Sequence, residues 1–154
     1  MNPKFYRLNE DWNAEPNAPN PIVAIEGRDI VLRFLVNPFR YPGSNEDDCG
    51  ILRFIRCERY RLGPTNDEGW YSGQCRFSKL APAWGEFYVV EGDAALLEAP
   101  MDWSFVGPRS GAERHYLFYF RDKTFECVAE QCVLDGTEEN SLLRAGKDIS
   151  QPRT

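Results

Sequence analysis

The sequence predicts a mainly β fold: an antiparallel β-sandwich or barrel of about seven or eight strands with one or two short helices. Three observations lead there. Short apolar runs recur between turn signals at fairly regular intervals. Aromatic residues reach 14%, as ten Phe, seven Tyr and four Trp, and aromatic side chains favour strands and large buried surfaces. Two pairs of apolar runs, within Ile22–Val36 and Arg114–Val133, read as hairpins.

Lys4–Leu8 reads as a short strand. Asn9–Pro21 follows, with three prolines and four asparagines, a composition that excludes regular structure. Trp12 lies inside this loop and is expected to pin it to the body of the protein. Ile22–Ile25 and Ile30–Val36 flank Gly27-Arg28, which suits a type II′ turn with Gly first. That register pairs Ile25 with Ile30 and Val23 with Leu32. Both runs are almost continuously apolar, so both are expected inside a sheet covered on two faces. Asn37–Asp48 is a loop.

Gly50–Leu62 reads as one long strand. Strict alternation puts Leu52, Phe54, Arg56, Glu58 and Tyr60 on one face, and Ile51, Arg53, Ile55, Cys57 and Arg59 on the other. Neither face is purely apolar, so the first half is expected to be buried and the second to lie near solvent. Gly63–Gly73 is irregular. Cys75–Leu80, Gly85–Glu91 and, more weakly, Met101–Val106 read as strands. Ala94–Glu98 and Glu138–Arg144 are the two helical candidates. Arg114–Arg121 and Thr124–Val133 form the second hairpin, joined at Asp122-Lys123. Asp-Lys suits a two-residue turn less well than Asp-Gly does, which leaves room for a longer loop. The chain of 154 residues reads as a single β-rich domain over 1–154, with a polar tail from about residue 145.

Charge and cysteine usage narrow the class. The net charge is −6 and the pI is about 4.9. Neither suits a nucleic-acid binder or a protein of anionic membrane surfaces. Both permit a basic protein partner. No run approaches the length of a membrane span, and Met1–Trp12 has no apolar signal core. The five cysteines, Cys49, Cys57, Cys75, Cys127 and Cys132, include no CxxC and match no zinc spacing. Reduced, mostly buried thiols in a cytoplasmic protein are the simplest reading. No metal and no cofactor is implied.

His115 is the sole histidine, and imidazole is the commonest general base. A two-residue turn at Asp122-Lys123 would pair Arg121 with Thr124, Tyr119 with Glu126, Phe118 with Cys127 and His115 with Glu130. Cys127 then shares a face with Tyr116, Phe118 and Phe120. His115 lies on the opposite face with Leu117, Tyr119, Glu126 and Glu130, so a Cys–His dyad within the hairpin is not expected. The stripe of His115, Tyr119, Glu126 and Glu130 has two readings: a pocket lining, or the solvated face of an antiparallel sheet. The acidic loops at Glu46–Asp48 and Asp67-Glu68 lack the spaced ligands of a calcium loop and read as solvated surface. Asn66-Asp67-Glu68-Gly69-Trp70-Tyr71 reads either as a buried plug or as a recognition loop.

Two stretches carry a resemblance. Tyr60-Arg61-Leu62-Gly63 followed by Asn66-Asp67-Glu68 is one. His115 through Ala129, with Phe118, Phe120, Asp122, Thr124-Phe125-Glu126-Cys127 and Ala129 as its fixed points, is the other. Together they resemble a group of small uncharacterised bacterial proteins with Tyr-x-x-Gly…Asn-Asp-Glu and His-x-x-Phe-x-Phe-x-Asp-x-Thr-Phe-Glu-Cys-x-Ala motifs. A Gly-His pair associated with the region after Asn-Asp-Glu is absent here, with Gly69-Trp70 and Gly73-Gln74 in its place. The resemblance implies a bacterial cytosolic protein and no mechanism.

Without a complete catalytic set, the expectation is a non-enzymatic binding module for a protein partner, in an immunity-like (toxin-neutralising) role for example, or for a small ligand. The alternative is an enzyme or ligand carrier with a pocket lined by His115, Tyr119, Glu126 and the Asn66–Glu68 loop, with Trp70 beside it. That alternative requires His115 to come within reach of Glu126 or the loop.

Overall fold

In the computed structural model, described over residues 3–9, 12–17, 19–37, 49–63, 77, 83, 85–92, 103–134 and 147–150, every regular element is a strand. They are β1 (Lys4–Arg7), β2 (Ile22–Glu26), β3 (Asp29–Leu35), β4 (Cys49–Gly63), β5 (Phe87–Glu91), β6 (Ser104–Phe105), β7 (Arg114–Tyr119), β8 (Thr124–Leu134) and β9 (Lys147–Asp148). All belong to one antiparallel sheet in the order β1-β5-β7-β8-β4-β3-β2, with β6 also on β4 and β9 also on β8. The mainly β, antiparallel expectation is met. The path ends on β1 and β2, which do not pair with each other, so the ladder is not a closed barrel. The two helical candidates, Ala94–Glu98 and Glu138–Arg144, lie outside the described residues, as does Cys75–Leu80 apart from Phe77.

The first hairpin forms in the expected register, Ile25 opposite Ile30 and Val23 opposite Leu32. Gly27 takes φ 65°, the left-handed value that the first central residue of a II′ turn needs and that a Cβ would strain. β3 is covered on both faces, with Ile30, Val31 and Leu32 fully buried. β2 is not: Ile22 and Ile25 are 63% and 56% exposed. The reason is position, because β2 is the last strand of the sheet and pairs only with β3.

The second hairpin slips by two residues from the expected register. Tyr119 pairs with Thr124, Leu117 with Glu126, Tyr116 with Cys127 and His115 with Val128. The loop is Phe120–Lys123, closed by the Phe120 N–H donating to the Lys123 carbonyl at 2.8 Å. Without a glycine at Asp122-Lys123 the turn moves back by one residue and centres on Arg121-Asp122. A slip of two leaves every side chain on its predicted face, since strand faces repeat every second residue.

The sheet wraps around its core. Phe34 of β3 meets Phe118 of β7 at 5.4 Å, and Phe54 of β4 meets Phe87 of β5 at 6.2 Å. Two strands separate the members of each pair, which in a flat sheet would stand about 14 Å apart. Trp12 stacks on Phe34 at 5.6 Å and meets the edge of Phe118 at 5.9 Å, so it pins its loop as the sequence suggested. The same loop crosses the open side. The Leu8 N–H donates to the Phe87 carbonyl, Asn13 Nδ2 donates to the Gly85 carbonyl, and the Glu15 N–H donates to the Leu35 carbonyl.

β4 departs from strict alternation. Leu52, Phe54 and Cys57 enter the core, and Tyr60 and Leu62 pack against it. Arg56 takes a left-handed φ of 48° and points to solvent, and the register to β8 shifts between Cys57 and Arg59. Glu58 is the extra residue of this bulge. The second half of the strand is therefore not near solvent throughout: Cys57, Glu58 and Arg59 are buried. Cys57 leaves its alternating face for the core, and the bulge restores the alternation after it, so Arg59 and Arg61 stay on the outer face, which also carries His115, because cross-strand partners share a face.

Candidate functional site

Two rows of cross-strand partners build the site on the outer face. One runs Val90, His115, Val128, Arg59; the next runs Tyr88, Leu117, Glu126, Arg61. His115 and Glu126 are thus diagonal neighbours, close enough for long side chains to meet. His115 Nε2 lies 2.7 Å from Glu126 Oε1, and Arg61 Nη1 donates to Glu126 Oε2. His115 is 5% exposed and Glu126 0%. A solvated face is therefore not what the structure has. A second apolar cluster, Phe77, Tyr88, Val90, Leu117 and Tyr119 with Phe5, covers part of this face. Trp103 covers another part. Its ring stands 5.9 Å from the imidazole, with the Arg59 guanidinium 4.8 Å above the indole. Phe77 meets the imidazole edge-on at 6.2 Å.

A fully buried carboxylate is costly unless each oxygen is compensated. Here Arg61 takes one oxygen and His115 the other. A carboxylate only accepts, so Nε2 is the donor, and in the neutral form of the ring Nδ1 carries the lone pair. Nδ1 is buried and has no hydrogen-bond partner among the described residues. This arrangement orients an imidazole as an acceptor.

His115 also borders a pocket of about 400 Å³ bounded by Val128, Val90, Glu58, Arg59 and Arg109 among others. The bulge delivers Glu58 to it. Glu58 Oε1 takes Arg109 Nε at 3.1 Å and lies 3.5 Å from Arg59 Nη1, while its backbone carbonyl accepts from the Val106 N–H at 2.8 Å. Glu58 Oε2 is buried without a hydrogen-bond partner among the described residues.

The residues singled out from the sequence divide as follows. His115 lines the pocket, and Glu126 lies beneath it as the support of the imidazole. Tyr119 is buried in the second apolar cluster. Asn66, Asp67, Glu68 and Trp70 lie outside the described residues. Glu58, Arg59, Arg61, Trp103 and Arg109 complete the site and were not anticipated. One signal for them was present: strict alternation would have placed Arg56 and Glu58 on the core face beside Leu52 and Phe54, a conflict that a bulge resolves.

Cys127 is on the core face, fully buried, with its Sγ 3.5 Å from Cys57 Sγ. Burial first, and then the neighbouring Cys57 thiol, pushes the Cys127 thiol well above its ordinary range. It is a packed thiol on the opposite side of the sheet from His115, and no dyad forms between them. Among the described residues there is no group of three or more His, Cys, Asp or Glu side chains placed to hold a metal ion.

No protein-family model, no curated protein and no solved structure matches this chain.

Proposed function

We propose that this protein is a non-enzymatic binding module whose ligand is a small polar molecule held beside His115. The observation that carries the reading is the placement of that imidazole at the wall of a pocket by a buried carboxylate and a buried-side guanidinium. A recognition group locked before binding loses little freedom on binding. The described residues favour binding over chemistry, since Tyr119 is packed in the apolar cluster and Cys127 is on the other face. Small-ligand recognition also agrees with the acidic composition, which disfavours nucleic acid. No helix among the described residues is long and apolar enough to cross a membrane. The motif resemblance supports a bacterial cytosolic setting.

A thermal-shift screen of polar metabolites against the wild-type protein and Val128→Phe tests this. Val128 lies between His115 and Arg59 in one row, so the larger side chain fills the pocket. At least one compound is expected to raise Tm with concentration in the wild type only. Hits that stabilise both proteins equally, or no hits, contradict it.

A second reading, a protein partner of the toxin-neutralising kind, is favoured by one observation. β2 ends the sheet and exposes Ile22 and Ile25, and an exposed apolar edge strand is a template for another chain. Pull-down from the native host with wild type and Ile25→Lys tests it. The expected result is a basic protein retained by the wild type and lost from the variant; equal retention contradicts the edge-strand contact.

A further inference from the structure

We infer that the pocket takes a primary amine, whose ammonium donates to Glu58 Oε2 and His115 Nδ1. This rests on the small-ligand reading above and narrows it to one chemical class. Glu58 and His115 are 6% and 5% exposed, both border the same pocket, and each has a buried atom with no hydrogen-bond partner among the described residues. Buried polar atoms in folded proteins are ordinarily paired, so two unpaired ones at a shared space point to a missing partner.

The polarity of that partner follows from the two atoms. Glu58 Oε2 is a carboxylate oxygen, whose Oε1 is taken up by Arg59 and Arg109. In the neutral ring His115 Nδ1 bears the lone pair, because Nε2 donates to Glu126. Both positions accept, so a ligand that presents only acceptors is repelled there. An ammonium carries three donors and no acceptor. Its bond to a carboxylate is charge-assisted and therefore stronger than one from a neutral hydroxyl. Two protein side chains are fewer than the three a bound zinc ion uses, which leaves an N–H donor as the better match.

Charge allows it. Glu58, Glu91 and Glu113 border the pocket together with Arg59, Arg109 and Arg114, and these formal charges cancel. The chain as a whole carries −6, so a cation approaches without long-range repulsion. The register sets the span. Glu58 adjoins Arg59, which faces Val128, which faces His115, so two inter-strand spacings, about 10 Å, separate the two backbones. The two side chains bound the gap between them.

The sole histidine makes the test direct, because the chain yields a single imidazole signal in NMR. The full-length protein is titrated at constant ionic strength with n-butylamine, 1,4-diaminobutane, butyrate and glucose. The amines are expected to move the imidazole signal saturably, while butyrate and glucose leave it in place. Glu58→Gln is expected to weaken amine binding about tenfold, the loss of one charge-assisted contact. Saturation by butyrate or glucose with no response to either amine overturns the amine class and leaves the small-ligand reading standing. No response to any of the four also overturns the amine class, and the metabolite screen with Val128→Phe then judges the broader reading on its own. Equal amine affinity in wild type and Glu58→Gln overturns the assignment to Glu58. Should Glu58→Gln fail to fold, the wild-type comparison of amine with butyrate still decides.

Discussion

His115 Nε2 and Glu126 Oε1 stand 2.7 Å apart on a diagonal of the β7–β8 ladder, with Arg61 on the second oxygen of the same carboxylate. The contact is buried on every side, and that burial determines how it responds to mutation.

Removing Glu126 alone takes the shared carboxylate from the Arg61 guanidinium and the buried His115 imidazole. Breaking a buried ion pair from one side costs about 3–5 kcal/mol. Glu126→Ala should therefore show a large drop in the urea midpoint. The double variant Glu126→Leu/Arg61→Met removes both charges together and should recover much of that loss. A double variant no more stable than Glu126→Ala contradicts the pairing.

Gly50 lies against the Phe34 ring, its cross-strand partner in β3. A Cβ at Gly50 would fall 2.6 Å from Phe34 Cε2 and Cζ. Phe34 is packed between Trp12, Phe118 and Phe120 and has nowhere to yield. Gly50→Ala is expected to cost about 1–3 kcal/mol by overpacking. In a Phe34→Leu background the same substitution should cost markedly less, a coupling that equilibrium unfolding of the four proteins measures. Equal costs in both backgrounds would show that the ring is not the obstacle.

Cys57 and Cys127 are both fully buried and meet through their sulfurs. Burial and the Cys57 neighbour hold the Cys127 thiol protonated, and the thiolate is the reactive form. A brief iodoacetamide pulse followed by peptide mass spectrometry should label partly exposed Cys49 and spare Cys57 and Cys127 until denaturant is added. Rapid native labelling of Cys127 would contradict the packed-thiol assignment.

Asp148 fastens β9. Partial burial raises its pKa, but the Ser150 N–H, the Ser150 hydroxyl and Gln131 Nε2, aided by the field of Arg114, outweigh burial and hold it below its ordinary 3.8. The folded-state pKa is depressed, so the stabilisation is complete above the unfolded-state value and disappears as pH falls through the folded one. Acidification below pH 3.8 should loosen Ser150 from Cys132, whose N–H donates to the Ser150 hydroxyl at 2.8 Å. Hydrogen exchange at the Cys132 and Ile149 amides should accelerate in that range. Asp148→Asn should show the same faster exchange already at neutral pH. Exchange that is indifferent to both changes contradicts the clasp.

The sequence discloses some of this and conceals the rest for physical reasons. Gly27-Arg28 names its own turn, because only glycine takes φ 65° without strain, and the register of β2 and β3 follows. The separation of His115 from Cys127 onto opposite faces is also legible. It survives a two-residue slip because strand faces repeat with period two. The slip itself is not legible, since Phe120–Lys123 has no glycine to fix a turn type. Nor is the bulge plainly written: Arg56 at φ 48° is a conformation its own chemistry disfavours, sustained by the Asp29 carboxylate accepting from its N–H. Arg61 reaches Glu126 and Trp103 reaches His115 through pairing of distant segments, which no local pattern encodes.

The central claim is that Glu126 fixes the His115 imidazole with its proton on Nε2 and its lone pair on Nδ1. A long-range ¹H–¹⁵N correlation spectrum of the uniformly labelled protein reads this directly, recorded where the ring is neutral, since there is one imidazole in the chain. A pyrrole-type Nε2 and a pyridine-type Nδ1 are expected in the wild type, and an averaged tautomer in Glu126→Leu/Arg61→Met. A proton on Nδ1, or a wild-type ring averaging between tautomers, would contradict it.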